Sequence, residues 1–179
     1  MNRRTLVSLA AVAAASQALP SSHRTRAATD FESGGLGLTI DDWDDMFGAG
    51  EPGQTYMSYT LNDGNYWVGI DTSAGVVDFI ERNWDNPEGV PLADAEDEAR
   101  SLLPEDARHI ERFDANYAAI LYGSQIDRYE SRDLGDRFDD DRSRAARSFA
   151  VIYEKVPAPA SMDYYVTRMV IIVAAEPSE

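Results

Sequence analysis

Two turn signals decide how the middle of this chain can run. Asn62-Asp63-Gly64-Asn65 and Ser73-Ala74-Gly75 both favour tight reversal, and each stands between stretches of alternating side chains. Residues 54–61 set Thr55, Met57, Tyr59 and Leu61 against Tyr56, Ser58 and Thr60, and residues 66–71 and 76–84 continue as extended runs. A period of two is the mark of strands, so this region is expected to form a three-stranded antiparallel meander.

Helices flank it. Thr39 suits an N-cap, with Asp42 three residues on in the capping-box position. The helix 40–47 then places Ile40, Trp43 and Phe47 on one face, Asp41 and Asp42 suit its N-terminal dipole, and Gly48 ends it. Pro91 opens a second helix with Leu92, Ala95, Ala99, Leu102 and Leu103 on one face, closed by Pro104. Strands are expected at 108–113, 126–129, 148–156 and 164–174, with a short helix at 131–138. The apolar run 169–175 falls short of the roughly 20 residues a membrane span requires and reads as a central strand. The predicted class is α+β: an antiparallel sheet with helices layered on one face. Because each half runs helix first and strands after, two tandem helix-then-meander units are expected, residues 38–86 and 87–179, sharing one core.

The first 27 residues read differently. Asn2-Arg3-Arg4 is a positive lead, followed by a 15-residue Ala-rich apolar run from Thr5 to Leu19 and small-residue contexts ending at Ala18 or Ala27. That order is the grammar of a signal peptide, and the Arg pair also matches the twin-arginine form. Residues 28–37 follow as a flexible lead-in. The expected location is therefore secreted or extracytoplasmic, with no membrane insertion once the signal is removed.

Cleavage after Ala27 removes four of the 16 basic residues and none of the 32 acidic ones, leaving a net charge of −20. Such a charge repels phosphate backbones and anionic lipid, which argues against nucleic acid or lipid partners. Lys155 is the only lysine, and Asp outnumbers Glu 20 to 12. That balance resembles proteins of salt-loving organisms, though a GC-rich genome also favours Arg over Lys. With no cysteine in the chain, its core must hold it without disulfides.

The segment Gly37-Leu38-Thr39-Ile40-Asp41-Asp42-Trp43, continuing to Phe47-Gly48, resembles the opening of small exported domains of the β-lactamase-inhibitor-protein and SmpA/OmlA type. Tyr56-Met57-Ser58-Tyr59 and Val76-Val77-Asp78-Phe79-Ile80 fall where that pattern has its strands, so the resemblance covers residues 37–84. It implies a helix-layered antiparallel sheet that binds other proteins. The inhibitors' disulfides and the lipoproteins' modified Cys have no counterpart here.

Chemical motifs are scarce. His109 has no Gly-x-Ser-x-Gly elbow to accompany it, one histidine without cysteine makes a poor zinc site, and no phosphate-cradling glycine loop occurs. Asp136, Asp139, Asp140 and Asp141 have the oxygen chemistry calcium prefers, but their spacing is not that of an EF-hand. No cofactor, metal site or catalytic residue is expected. Strand alternation instead directs Tyr56, Trp67, Arg82 and Trp84, with Ile80, to the face opposite the helix, a composition typical of interfaces. Either that face is open and binds an extracellular protein, or the second half of the chain covers it. A small hydrolase with paired carboxylates and a structural cell-envelope component are the alternatives. The charge itself yields a test. Thermal melts in rising KCl are expected to show a midpoint that climbs up to about 0.1 M and beyond, as screening relieves self-repulsion. A flat response would mean that the acids are neutralised locally.

Overall fold

The computed structural model describes residues 31–115, 123–138, 140–157 and 164–174. The expected signal segment lies outside them, as does Asp139.

Thr39 begins α1 (Ile40–Phe47) as the sequence implies. Its hydroxyl accepts from the Asp42 amide, and its own amide donates to the Asp42 carboxylate at 3.0 Å. The Thr39 hydroxyl also donates to that carboxylate at 2.7 Å, and this bond, with the one from the amide, holds the Asp42 carboxyl below its ordinary range. One turn on, Trp43 is fully buried. Its indole donates to the Gly35 carbonyl at 2.9 Å, and its ring lies 4.8 Å from Phe47, 5.5 Å from Tyr59 and 5.6 Å from Tyr66. Helix α1 is thereby fastened over one end of the sheet.

The strands beneath it are β1 (Glu51–Pro52), β2 (Met57–Leu61), β3 (Gly64–Asp71) and β4 (Val76–Trp84). Strand β2 starts at Met57 rather than 54, because the Gly53 amide bonds the Tyr56 carbonyl and makes a turn there. The β2–β3 reversal depends on Gly64, at φ 144°, where a Cβ would lie 2.0 Å from the Asn83 carbonyl oxygen. After β5 (Val90–Pro91), helix α2 (Leu92–Leu102) buries Ala95, Ala99 and Leu102. Strands β6 (Arg108–Ala115) and β7 (Ser124–Glu130), short helices α3 (Arg132–Gly135) and α4 (Asp140–Ala146), and strands β8 (Ser148–Pro157) and β9 (Tyr164–Val173) complete the order.

Among the described residues the nine strands belong to one antiparallel sheet, ordered β1-β2-β3-β4-β9-β8-β7-β6, with β5 also on β9. The seam is the pairing of β4 with β9, which joins the last strand of each half. The fold is thus α+β, and its buried apolar side chains form a single cluster drawn from all four helices and the inward side of the sheet. Cross-strand partners on that inward side make rows such as Val68–Ile80–Ile171–Val151 and Tyr66–Arg82–Met169–Tyr153. Among the described residues no helix is long and apolar enough to cross a membrane.

The packing around α1 predicts a contrast within one helix. Trp43→Ala should cost about 3–5 kcal/mol in a urea melt, the range for a buried large aromatic. Met46→Ala, one turn away and 46% exposed, should change stability by about 0.5 kcal/mol or less.

Candidate binding face

The outward side of the sheet is built by register. Phe113, Ile126, Ile152, Val170, Glu81, Trp67 and Ser58 are successive cross-strand partners running from β6 to β2. A second row, one pleat away, runs Glu111, Arg128, Ala150, Ile172, Phe79 and Gly69. A third runs Ala115, Ser124, Glu154, Arg168, Asn83, Asn65 and Thr60. The first two rows make an apolar band. Within it, or at its border, Tyr56, Trp67, Phe113 and Ile172 are 41–44% exposed. Tyr56 reaches the band from its turn, its ring 5.2 Å from that of Phe79 and packed over Gly69. At six strand spacings of about 4.8 Å, the band spans roughly 29 Å.

The charges on this face are met on the face. Arg128 hydrogen-bonds Glu111 beside it, and Arg168 bonds Glu154 and lies 3.6 Å from Glu81. Glu81, the one acid that interrupts the apolar row, also accepts from the Asn83 amide at 2.9 Å.

Of the four residues expected on this face, Tyr56 and Trp67 lie there, whereas Arg82 and Trp84 do not. Gly69 pairs with Phe79 but Ile70 pairs with Val77, so Asp78 is one extra residue in β4. An extra residue reverses the alternation beyond it. Phe79 therefore faces outward, and Ile80, Arg82 and Trp84 turn towards the helices. Arg82 is 1% exposed there and Trp84 is 8%. The Arg82 guanidinium donates to Glu98 of α2 at 2.7 Å and to the Asn83 carbonyl at 2.8 Å, and pairs with Asp63 at 2.8 Å. It also lies 5.2 Å from the Tyr66 ring and 5.1 Å from the Trp84 ring. The Tyr66 hydroxyl and Trp84 indole both donate to Glu98 as well. Burial, and then the bond to Glu98, pushes the Tyr66 phenol above its ordinary range, so it remains a donor.

Phe79, Phe113, Ile126, Ile152, Val170 and Ile172 are members of this face that sequence reasoning missed. The runs containing Ile152, Val170 and Ile172 are apolar on both sides, which reads as full burial rather than as one open face.

A second polar group lies on the helix side, where β6 and β7 run past α2. Arg112 donates to buried Asp127 at 2.6 and 2.7 Å and to Glu96 of α2 at 2.8 Å, and these contacts raise its pKa, the hydrogen bond to Asp127 most of all. His109 lies 3.6 Å from Asp127, and a cavity of about 500 Å³ opens beside His109, Arg112 and Tyr129. The two carboxylates thus share the one guanidinium of Arg112. Among the described residues no group of three or more His, Asp or Glu is placed to hold a metal ion, and Asp136 lies 3.7 Å from Arg147.

No protein-family model, curated protein or solved structure matches the chain.

Two tryptophans test the assignment of faces. In urea melts of the dilute monomer, Trp67→Ala should alter the stability by about 0.5 kcal/mol or less. Trp84→Ala should cost about 3–5 kcal/mol, since it removes a buried ring and a contact of Arg82.

Proposed function

We propose that this chain is an exported, non-enzymatic binding module whose open sheet face takes a protein partner. The observation that carries the reading is the apolar band itself. It lies on the side away from the helices, and its charged neighbours are already paired with one another. Contiguous exposed apolar surface of this kind marks interaction sites, and exposed aromatic side chains are the usual anchors. The opening segment 37–48, with its resemblance to exported protein-binding domains, supports the same class. So does the signal-like sequence 1–27, which supports an extracytoplasmic location.

Two measurements check the proposal. Intact-mass analysis of the protein recovered after expression with its leader should show loss of about 27 residues; a full-length species held in the membrane would contradict export. Pull-downs from extracellular fractions, compared between the wild type and Trp67→Ala, should then recover a protein only with the wild type. Its affinity should fall by about 2 kcal/mol or more in the variant. A partner retained equally by both would place binding elsewhere on the molecule.

A further inference from the structure

We infer that the partner of the open face is a second copy of this chain, stacked sheet against sheet. The inference rests on the reading of that face as a binding surface, and three observations select this occupant.

The first is size. Seven strands about 4.8 Å apart and about seven residues long at 3.4 Å each present roughly 29 by 24 Å, or about 700 Å² before corrugation. A stable interface of standard size buries about 1,200–2,000 Å² in total, or roughly 600–1,000 Å² on each partner, a range that includes this face. The face is therefore large enough for a dimer.

The second is charge. Within the three rows Glu81, Glu111 and Glu154 stand against Arg128 and Arg168, a net of −1 on a chain whose net charge is −16. Each of these acids contacts one of those arginines. A foreign basic segment would thus find no unpaired carboxylate among them, whereas a mostly apolar surface of small net charge, each of its acids in contact with an arginine, suits burial against its own copy. The acids cluster on the other side. Helix α1 holds Asp41, Asp42, Asp44 and Asp45, and α2 holds Asp94, Glu96, Asp97 and Glu98. Two sheets packed about 10 Å apart would leave both helix layers on the outside. Their repulsion would then act over more than the Debye length of about 8 Å at 0.15 M salt.

The third is symmetry. The apolar rows lie on one side of the ion-pair row Glu154–Arg168. A two-fold axis along the strands near β9 keeps apolar rows over apolar rows, and it sets the two Arg168 side chains across the axis from each other, each beside its own Glu81 and Glu154. That is the self-complementarity a closed dimer requires, and aligned sheet packing is the ordinary way to cover such a face.

Sedimentation equilibrium of the purified chain tests this, with Trp67→Glu and Ile172→Glu as face variants and Met46→Glu on α1 as the control. Circular dichroism confirms that each is folded, and the more exposed Trp67→Glu stands in if Ile172→Glu is not. The expected result is a monomer–dimer equilibrium whose association strengthens as KCl rises from about 0.1 M to about 1 M. Either face variant should weaken it tenfold or more, and Met46→Glu should leave it unchanged. A monomer at every concentration and salt overturns the inference, as does a dimer indifferent to both face variants. A monomer that still retains a different protein in a Trp67-dependent way overturns self-association alone. One that retains none overturns the binding reading with it.

Discussion

Arg82 brings a positive charge into the layer between helix and sheet, where only 1% of it meets solvent. An uncompensated charge at such a site would cost several kcal/mol. Glu98 of α2, Asp63 of the hairpin turn and the Asn83 carbonyl compensate it, while Tyr66 and Trp84 flank it with their rings. These partners come from a helix, a turn and two strands. Moving any of them away costs the guanidinium one of its two counter-ions, its carbonyl acceptor or one of its two rings. The group therefore fixes how α2 sits over the sheet, and it fixes which side of β4 faces inward.

That choice decides the character of the opposite face. With Arg82 and Trp84 directed inward, their neighbours Glu81 and Asn83 point out, and beyond the extra residue Asp78 the inward position passes to Val77. Since β4 pairs with β9, the same parity extends through Val170 and Ile172 to Ile152 and Ala150 and on to Ile126 and Phe113. One strand's orientation thus lays down an apolar band across seven strands. The helices gather on the other side, and three of the four are fastened by devices of their own: the Trp43 ring for α1, the alanine face for α2, and Arg142 of α4, which pairs with Asp71 and Asp78.

Local chemistry was readable in the sequence wherever the signal was local. Thr39 and Asp42 announced α1, the turn residues announced the hairpins, and β-branched and aromatic runs announced β4, β8 and β9 close to their observed limits. The faces of β4 were not readable. A bulge is a property of pairing, two residues on one strand against one on its partner, and Asp78 carries no local mark of being the extra one. Strict alternation from Val77 therefore assigned Arg82 and Trp84 to the wrong side, although Tyr56 and Trp67, which precede the bulge, were placed correctly. The β4–β9 seam was hidden for a similar reason. It joins residues far apart in the chain, and period-two patterning identifies strands without naming their partners.

Hydroxyl-radical footprinting of the dilute monomer, read residue by residue by mass spectrometry, tests the orientation of β4 and its neighbours most directly. If the bulge at Asp78 turns Trp84 inward, Trp67 and Phe113 should oxidise readily while Trp43 and Trp84 remain protected. Rapid oxidation of Trp84 together with protection of Trp67 would contradict the account, because the band and the buried Arg82 group would then exchange sides.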